Sequence, residues 1–233
     1  MKKKSVYILS MLVLFHVPRV IAQTETFGLW SSIEASKKLN RFDLNSELEL
    51  RTMEGVEKIA RISAKVGVDY RMIKPLKVGI AYQYIHFNDV KYSDFQPRNR
   101  FIAYLQGKQK WGNWEFTLRE RLQTTIKDES DRLKESGKTD TYKMNPEWTW
   151  RNRLRISYNI PKCKITPSFS IETFYQLNNP DGNTFDRLRY TLSGTYKINK
   201  QNAIELYGLY QRNINTDEPE NRSAIGVSYS FSF

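Results

Sequence analysis

The stretch EWTWRNRLRISYNI, Glu147 to Ile160, decides the fold. Taken at every second position it separates into Trp148, Trp150, Asn152, Leu154, Ile156, Tyr158 and Ile160 on one side. Glu147, Thr149, Arg151, Arg153, Arg155, Ser157 and Asn159 fall on the other. Alternate residues of a β-strand point to opposite faces, so this is a strand with an apolar, aromatic face and a cationic one. A soluble sheet would bury the apolar face. A membrane barrel would turn it to lipid and place the arginines in the lumen.

The same alternation recurs in both directions. Phe42, Leu44, Leu48 and Leu50 oppose Arg41, Asp43, Asn45, Glu47, Glu49 and Arg51. Ile62, Ala64, Val66, Val68 and Tyr70 oppose Arg61, Ser63, Lys65, Gly67 and Asp69. Trp114, Phe116, Leu118 and Leu122 oppose Glu115, Thr117, Arg119, Arg121 and Gln123; Leu188, Tyr190, Leu192 and Tyr196 oppose Arg187, Arg189 and Lys197. The chain closes on Ile225, Val227, Tyr229, Phe231 and Phe233, an alternating strand ending on an aromatic residue. Such an ending is what the outer-membrane insertion machinery reads, so that machinery and the membrane lipid are the expected partners of a monomer.

Connections alternate in length. Short ones fall near 37–40, 71–75, 111–113, 161–164 and 199–202; long ones fall near 52–58, 87–97, 126–145, 178–183 and 213–221. Short periplasmic turns and longer external loops are the pattern of an antiparallel, up-and-down transmembrane β-barrel. Ten strands run from Arg41 to Phe233, and the segment Phe27 to Ser36 would make eleven. Bacterial single-chain barrels have even strand numbers. The first segment is therefore expected in the lumen or at the rim, or a further strand exists, giving ten to twelve.

Composition narrows the setting. Lys2, Lys3 and Lys4 precede the apolar run Val6 to Val17, and Ala22 ends a small-residue cleavage pattern, so residues 1–22 read as a secretory signal peptide and residues 23–233 as one barrel domain. The 233 residues carry 37 Lys+Arg against 25 Asp+Glu; removing residues 1–22 leaves +8. The one cysteine, Cys163, allows no internal disulfide. No run after the leader is long and apolar enough for a membrane helix. A chain of low mean hydropathy with 13% aromatic residues fits alternating transmembrane strands. Trp114, Trp148, Trp150, Tyr158, Tyr196 and Phe233 fall at strand ends, where an interfacial girdle belongs. The basic balance is spread along alternating positions, which argues against nucleic-acid binding.

The opposite face carries the candidate functional residues. Arg98/Arg100, Arg119/Arg121, Arg151/Arg153/Arg155 and Arg187/Arg189 form ladders with Arg61, and Glu47, Glu49, Glu115, Glu172 and Glu205 share the same face. One reading is a narrow lumen plugged by Arg–Glu pairs, a structural role. A second is a small anion-preferring pore, since arginines outnumber glutamates. A third is a rim enzyme site of phospholipase or protease type at His86, the only histidine after the leader, with Asn88, Asp89 and Ser93 nearby. A lone histidine is weak grounds for catalysis, so no catalytic residue is assigned and no enzyme is expected. No His/Cys spacing suits a metal or cofactor, and the acids Asp128, Glu129 and Asp131 alternate with lysines as a solvated loop does.

Several of these segments carry a family likeness. Phe27-Gly28-Leu29-Trp30, Glu47-Leu48-Glu49-Leu50-Arg51, Arg151-Asn152-Arg153-Leu154 with Tyr158 and Pro161, Arg187-Leu188-Arg189-Tyr190, Tyr196 to Lys200 and Gly226 to Tyr229 are the segments concerned. Together they resemble the Bacteroidota outer-membrane family called domain of unknown function 2490. The resemblance spans nearly the whole mature chain. It implies an outer-membrane barrel and brings no activity, substrate or catalytic residue with it.

Overall fold

The computed structural model describes residues 24–92, 94–134, 136–215 and 220–233. The expected signal peptide, residues 1–22, lies outside them. Eleven strands close a single barrel: β1 (Thr24–Leu39), β2 (Phe42–Met53), β3 (Lys58–Ile73), β4 (Leu76–Asp89), β5 (Asp94–Trp111), β6 (Trp114–Lys127), β7 (Glu147–Tyr158), β8 (Ile165–Gln176), β9 (Phe185–Lys197), β10 (Asn202–Asn213) and β11 (Glu220–Ser232). Each strand has at least 12 residues, more than the ~9–11 a tilted strand needs to cross a bilayer.

Neighbouring strands pair antiparallel all round the wall except at the closure, where β1 runs parallel to β11 from Thr24↔Glu220 to Ser36↔Ser232. The first segment is thus neither in the lumen nor at the rim. It is a full wall strand, and the up-and-down pattern is broken at one seam. Strands that reverse direction at each turn must leave one parallel pair when their number is odd. The inner side of that seam is stitched by small hydroxyls, with Ser32 Oγ donating to Ser228 Oγ at 2.9 Å and Ser36 Oγ 2.8 Å from Ser232 Oγ. Gly226 faces inward beneath the Tyr207 ring, which occupies the space a Cβ would need.

At one end of the barrel the connections are short. The β5–β6 hairpin has the two-residue loop Gly112-Asn113, with Gly112 at φ 58°. At the other end the loops are longer, but two of them shrink to four residues, 54–57 and 90–93, because Thr52-Met53 and Phe87 to Asp89 stay in the ladder. The long connection is 128–146 between β6 and β7.

The outward face is mainly apolar along the length of the strands. Ile80 is 63% exposed, Leu192 66% and Leu206 61%. Hydrocarbon is the solvent that suits so large an exposed apolar belt. Outward aromatics cluster near both ends: Trp114 packs on Tyr158 at 4.7 Å beside the short turns, and Trp150, Tyr175 and Phe185 form a chain beside the long loops. Trp148, Tyr196 and Phe233 are exposed near strand ends.

Candidate lumen site

Parity places the charged residues inside. A cavity of about 720 Å³ runs along the barrel, lined by residues from all eleven strands. Arg61, Arg100, Arg119, Arg121, Arg151, Arg153, Arg155, Arg187, Arg189, Glu47, Glu49, Glu172 and Glu205 all line it. Glu115 does not: it sits at the short-turn rim, where Lys108 Nζ reaches it at 2.8 Å, because β6 begins one residue earlier. Among the described residues the lining holds twelve arginines and three lysines against seven carboxylates.

Part of this wall is neutralised by pairing. Glu49 takes both Arg51 (2.6 Å) and Arg61. Glu47 holds Lys65, Asp69 holds Lys77, and Glu205 holds Arg155 Nη2 at 2.7 Å. Glu172, 7% exposed, is the hub of the middle section. Its Oε1 accepts Arg151 Nη2 at 2.8 Å and Arg151 Nε at 3.2 Å, and Oε2 lies 3.6 Å from Arg189 Nη1. Other arginines bond neutral groups instead: Arg100 Nε donates to Thr125 Oγ1 at 3.0 Å and Arg119 Nε to Gln106 Oε1 at 2.8 Å.

Aromatic and aliphatic residues also point inward. The Arg51 guanidinium lies 3.5 Å from the Trp30 ring centre, and Arg151, Arg187 and Arg189 surround Phe174 at 4.4–5.0 Å. Trp30 packs on Leu209 and Ala224, and Ile85 and Ile102 are buried on the inner wall. Guanidinium planes stack well on rings, so these residues fix arginine orientation without adding negative charge. The signal was available in the parity of the sequence: Trp30 alternates with Gly28, Ser32 and Glu34 on the inward set of β1.

The long-loop end is narrowed by the β6–β7 connection. Arg132 from this loop is buried against the inner faces of β4 and β5. It bonds Asp89, donates from Nε to the Asp140 carbonyl at 2.8 Å and lies 3.8 Å over the Tyr142 ring. The Tyr142 hydroxyl in turn lies 3.0 Å from both Asp89 Oδ2 and Gln96 Oε1, with one proton to share between them. Asp140 gathers Lys91, Tyr92 and Lys134, and the Lys91 ammonium foremost holds its carboxyl well below the usual carboxylate range. Asp128 and Glu129 accept bonds from within the loop, from Ser130 and from the Tyr142 amide.

The residues around His86 are not brought together. His86 faces outward and stacks on Phe95 at 4.9 Å, whereas Asp89 points inward to Arg132. Asn88 donates to the Ile59 carbonyl, and Ser93 lies outside the described residues.

The outward face of β6 to β8 carries a second departure. Glu120 lies on the apolar side with its Oε2 accepting the Trp150 indole N–H at 2.9 Å. Asn152, opposite it in register, donates to Thr173 at 3.3 Å.

A closed barrel with a hydrocarbon-facing exterior and a charged interior defines a β-barrel of transmembrane type. Residues 27–224 match the family described as protein of unknown function DUF2490, and the chain belongs to that family. Comparison of the sequence with curated proteins returns no match. Among solved structures the chain is similar to a bacterial polysaccharide outer membrane secretin (12% identity, TM-score 0.56, covering 84% of this chain and 67% of that one). It is also similar to the NanC porin (13%, 0.53, 89% and 98%) and to the beta domain of the Bordetella autotransporter BrkA (10%, 0.52, 85% and 86%). At these identities the likeness concerns the fold.

Proposed function

We propose that the protein is a narrow, anion-preferring channel of a bacterial outer membrane. The observation that carries this reading is the lining of the cavity, with twelve arginines and three lysines facing seven carboxylates among the described residues. An excess of fixed cations in a narrow passage lowers the entry cost of anions and raises that of cations. The interior rings and the Arg132 loop keep the passage narrow, which suits small solutes. Export through the leader in residues 1–22, and insertion as a monomer by machinery reading the Phe233 end, complete the proposal. The similarity to outer-membrane barrels supports that location. Purified protein added to planar bilayers is expected to give discrete conductance steps that shrink in R119Q/R155Q. Bilayers that stay silent would assign the barrel a structural role instead.

A further inference from the structure

The middle of the lumen contains more guanidinium than its carboxylates can serve. Arg119 faces Arg153 in register across β6 and β7, and Arg121 faces Arg151, so four arginines form a two-by-two block on one patch of wall. Like charges directly opposite on a sheet repel. Two of the four are relieved: Arg119 by Gln106, and Arg151 by Glu172 and Gln123. Arg121 and Arg153 make no hydrogen bond or ion pair within the described residues, and the Nε of each is shut off from solvent with no acceptor. The nearby carboxylates are already engaged: Glu172 by Arg151 and Arg189, Glu205 by Arg155, Asp69 by Lys77 and Tyr104.

Two unpaired guanidiniums on diagonal positions of one wall lie about 7–8 Å apart at their backbones, within joint reach of one ligand. Each presents a planar fork of donors that fits a pair of oxygens. A monocarboxylate has oxygens for one fork and charge for one arginine. A tetrahedral dianion has oxygens for two forks and charge for both. We propose that Arg121 and Arg153 form a binding station for a phosphoryl dianion, either free phosphate or a small phosphate monoester, inside the 720 Å³ cavity. The proposal builds on the reading of the lumen as an anion path and names the anion that would pause there. Arg119 and Arg151, held by Gln106 and Glu172, complete the positive rim without needing to move.

The test is calorimetric titration of the detergent-solubilised full barrel with inorganic phosphate, with glycerol 3-phosphate, and with acetate as the monoanion control. Phosphate is expected to bind saturably, and R121Q/R153Q to bind at least tenfold more weakly. That variant is also expected to melt higher than wild type in phosphate-free buffer, because it loses the repulsion. Binding of phosphate alone assigns the free ion; binding of both phosphates assigns the phosphoryl group. Arg153→Gln alone, expected to lose at least threefold, serves if the double variant does not refold. No saturable heat with either phosphate, equal binding by acetate, or unchanged binding in the variants overturns the station. Bilayer recordings of the same preparations separate the two readings. Phosphate binding without conductance keeps the station and removes the channel. Anion-selective conductance with flat calorimetry keeps the channel and removes the station.

Discussion

Replacing Glu172 with Gln removes a carboxylate shared by Arg151 and Arg189 in mid-barrel while keeping the side chain's size. Wild-type Glu172 is 7% exposed and bonds Arg151 at 2.8 Å, with Arg189 at 3.6 Å. The neutral amide leaves both cations facing Arg121 and Arg153 with nothing between them. Breaking a buried ion pair by removing one partner costs about 3–5 kcal/mol, and the wet lumen puts this site at the lower end. For a chain of this size ~3 kcal/mol corresponds to a fall in melting temperature of about 6–12 °C. Thermal unfolding in detergent micelles, followed by the loss of β-sheet circular dichroism, reads this directly. The cycle with Arg151→Gln sharpens it: R151Q/E172Q leaves fewer charges uncompensated and is expected to lose less than E172Q alone. An E172Q barrel that melts with wild type, or a double variant that melts lower than E172Q, would refute the view of Glu172 as the neutralising hub.

Three further outcomes follow from other parts of the wall. Glu120→Leu exchanges a carboxyl on the hydrocarbon face for an apolar side chain and is expected to stabilise the barrel in lipid by about 1–2 kcal/mol, measured by urea unfolding in vesicles. Gly226→Ala puts a methyl group where the Tyr207 ring lies and is expected to cost about 1–3 kcal/mol in the same assay, with Tyr207→Ala restoring tolerance of the alanine. Asp140 has a folded-state pKa below its unfolded value of ~3.9, so its hold on the β6–β7 loop is complete above that value and is lost as pH falls through the folded pKa. Exchange protection of the Asp140 amide, which donates to the Arg132 carbonyl at 2.6 Å, should therefore stay flat from neutral pH to about pH 5 and fall only in stronger acid, whereas Asp140→Asn should lower it already at neutral pH.

Much of this architecture is written in residue parity. Arg151, Arg153 and Arg155 face the lumen and Leu154 and Ile156 face outward because a strand has period two and only one face meets hydrocarbon. The β1 segment was harder. Its inward set, Gly28, Trp30, Ser32 and Glu34, reads as a wall strand, but local sequence says nothing about the direction of its partner. Pairing with β11 joins residues about 196 positions apart, through contacts such as Ser32 with Ser228. Glu115 and the shortened loops depend on where ladders stop, which side-chain alternation does not mark. The unpaired state of Arg121 and Arg153 was hidden for a different reason. A count of charges shows the excess, but only the register of β6 on β7 shows which arginines Glu172 leaves unserved.

The most direct test of the channel is the reversal potential of single channels across a KCl gradient. The fixed positive charge of the lumen requires a reversal potential displaced toward the chloride equilibrium value, and R119Q/R155Q should move it toward zero. A displacement toward the potassium value would contradict the account.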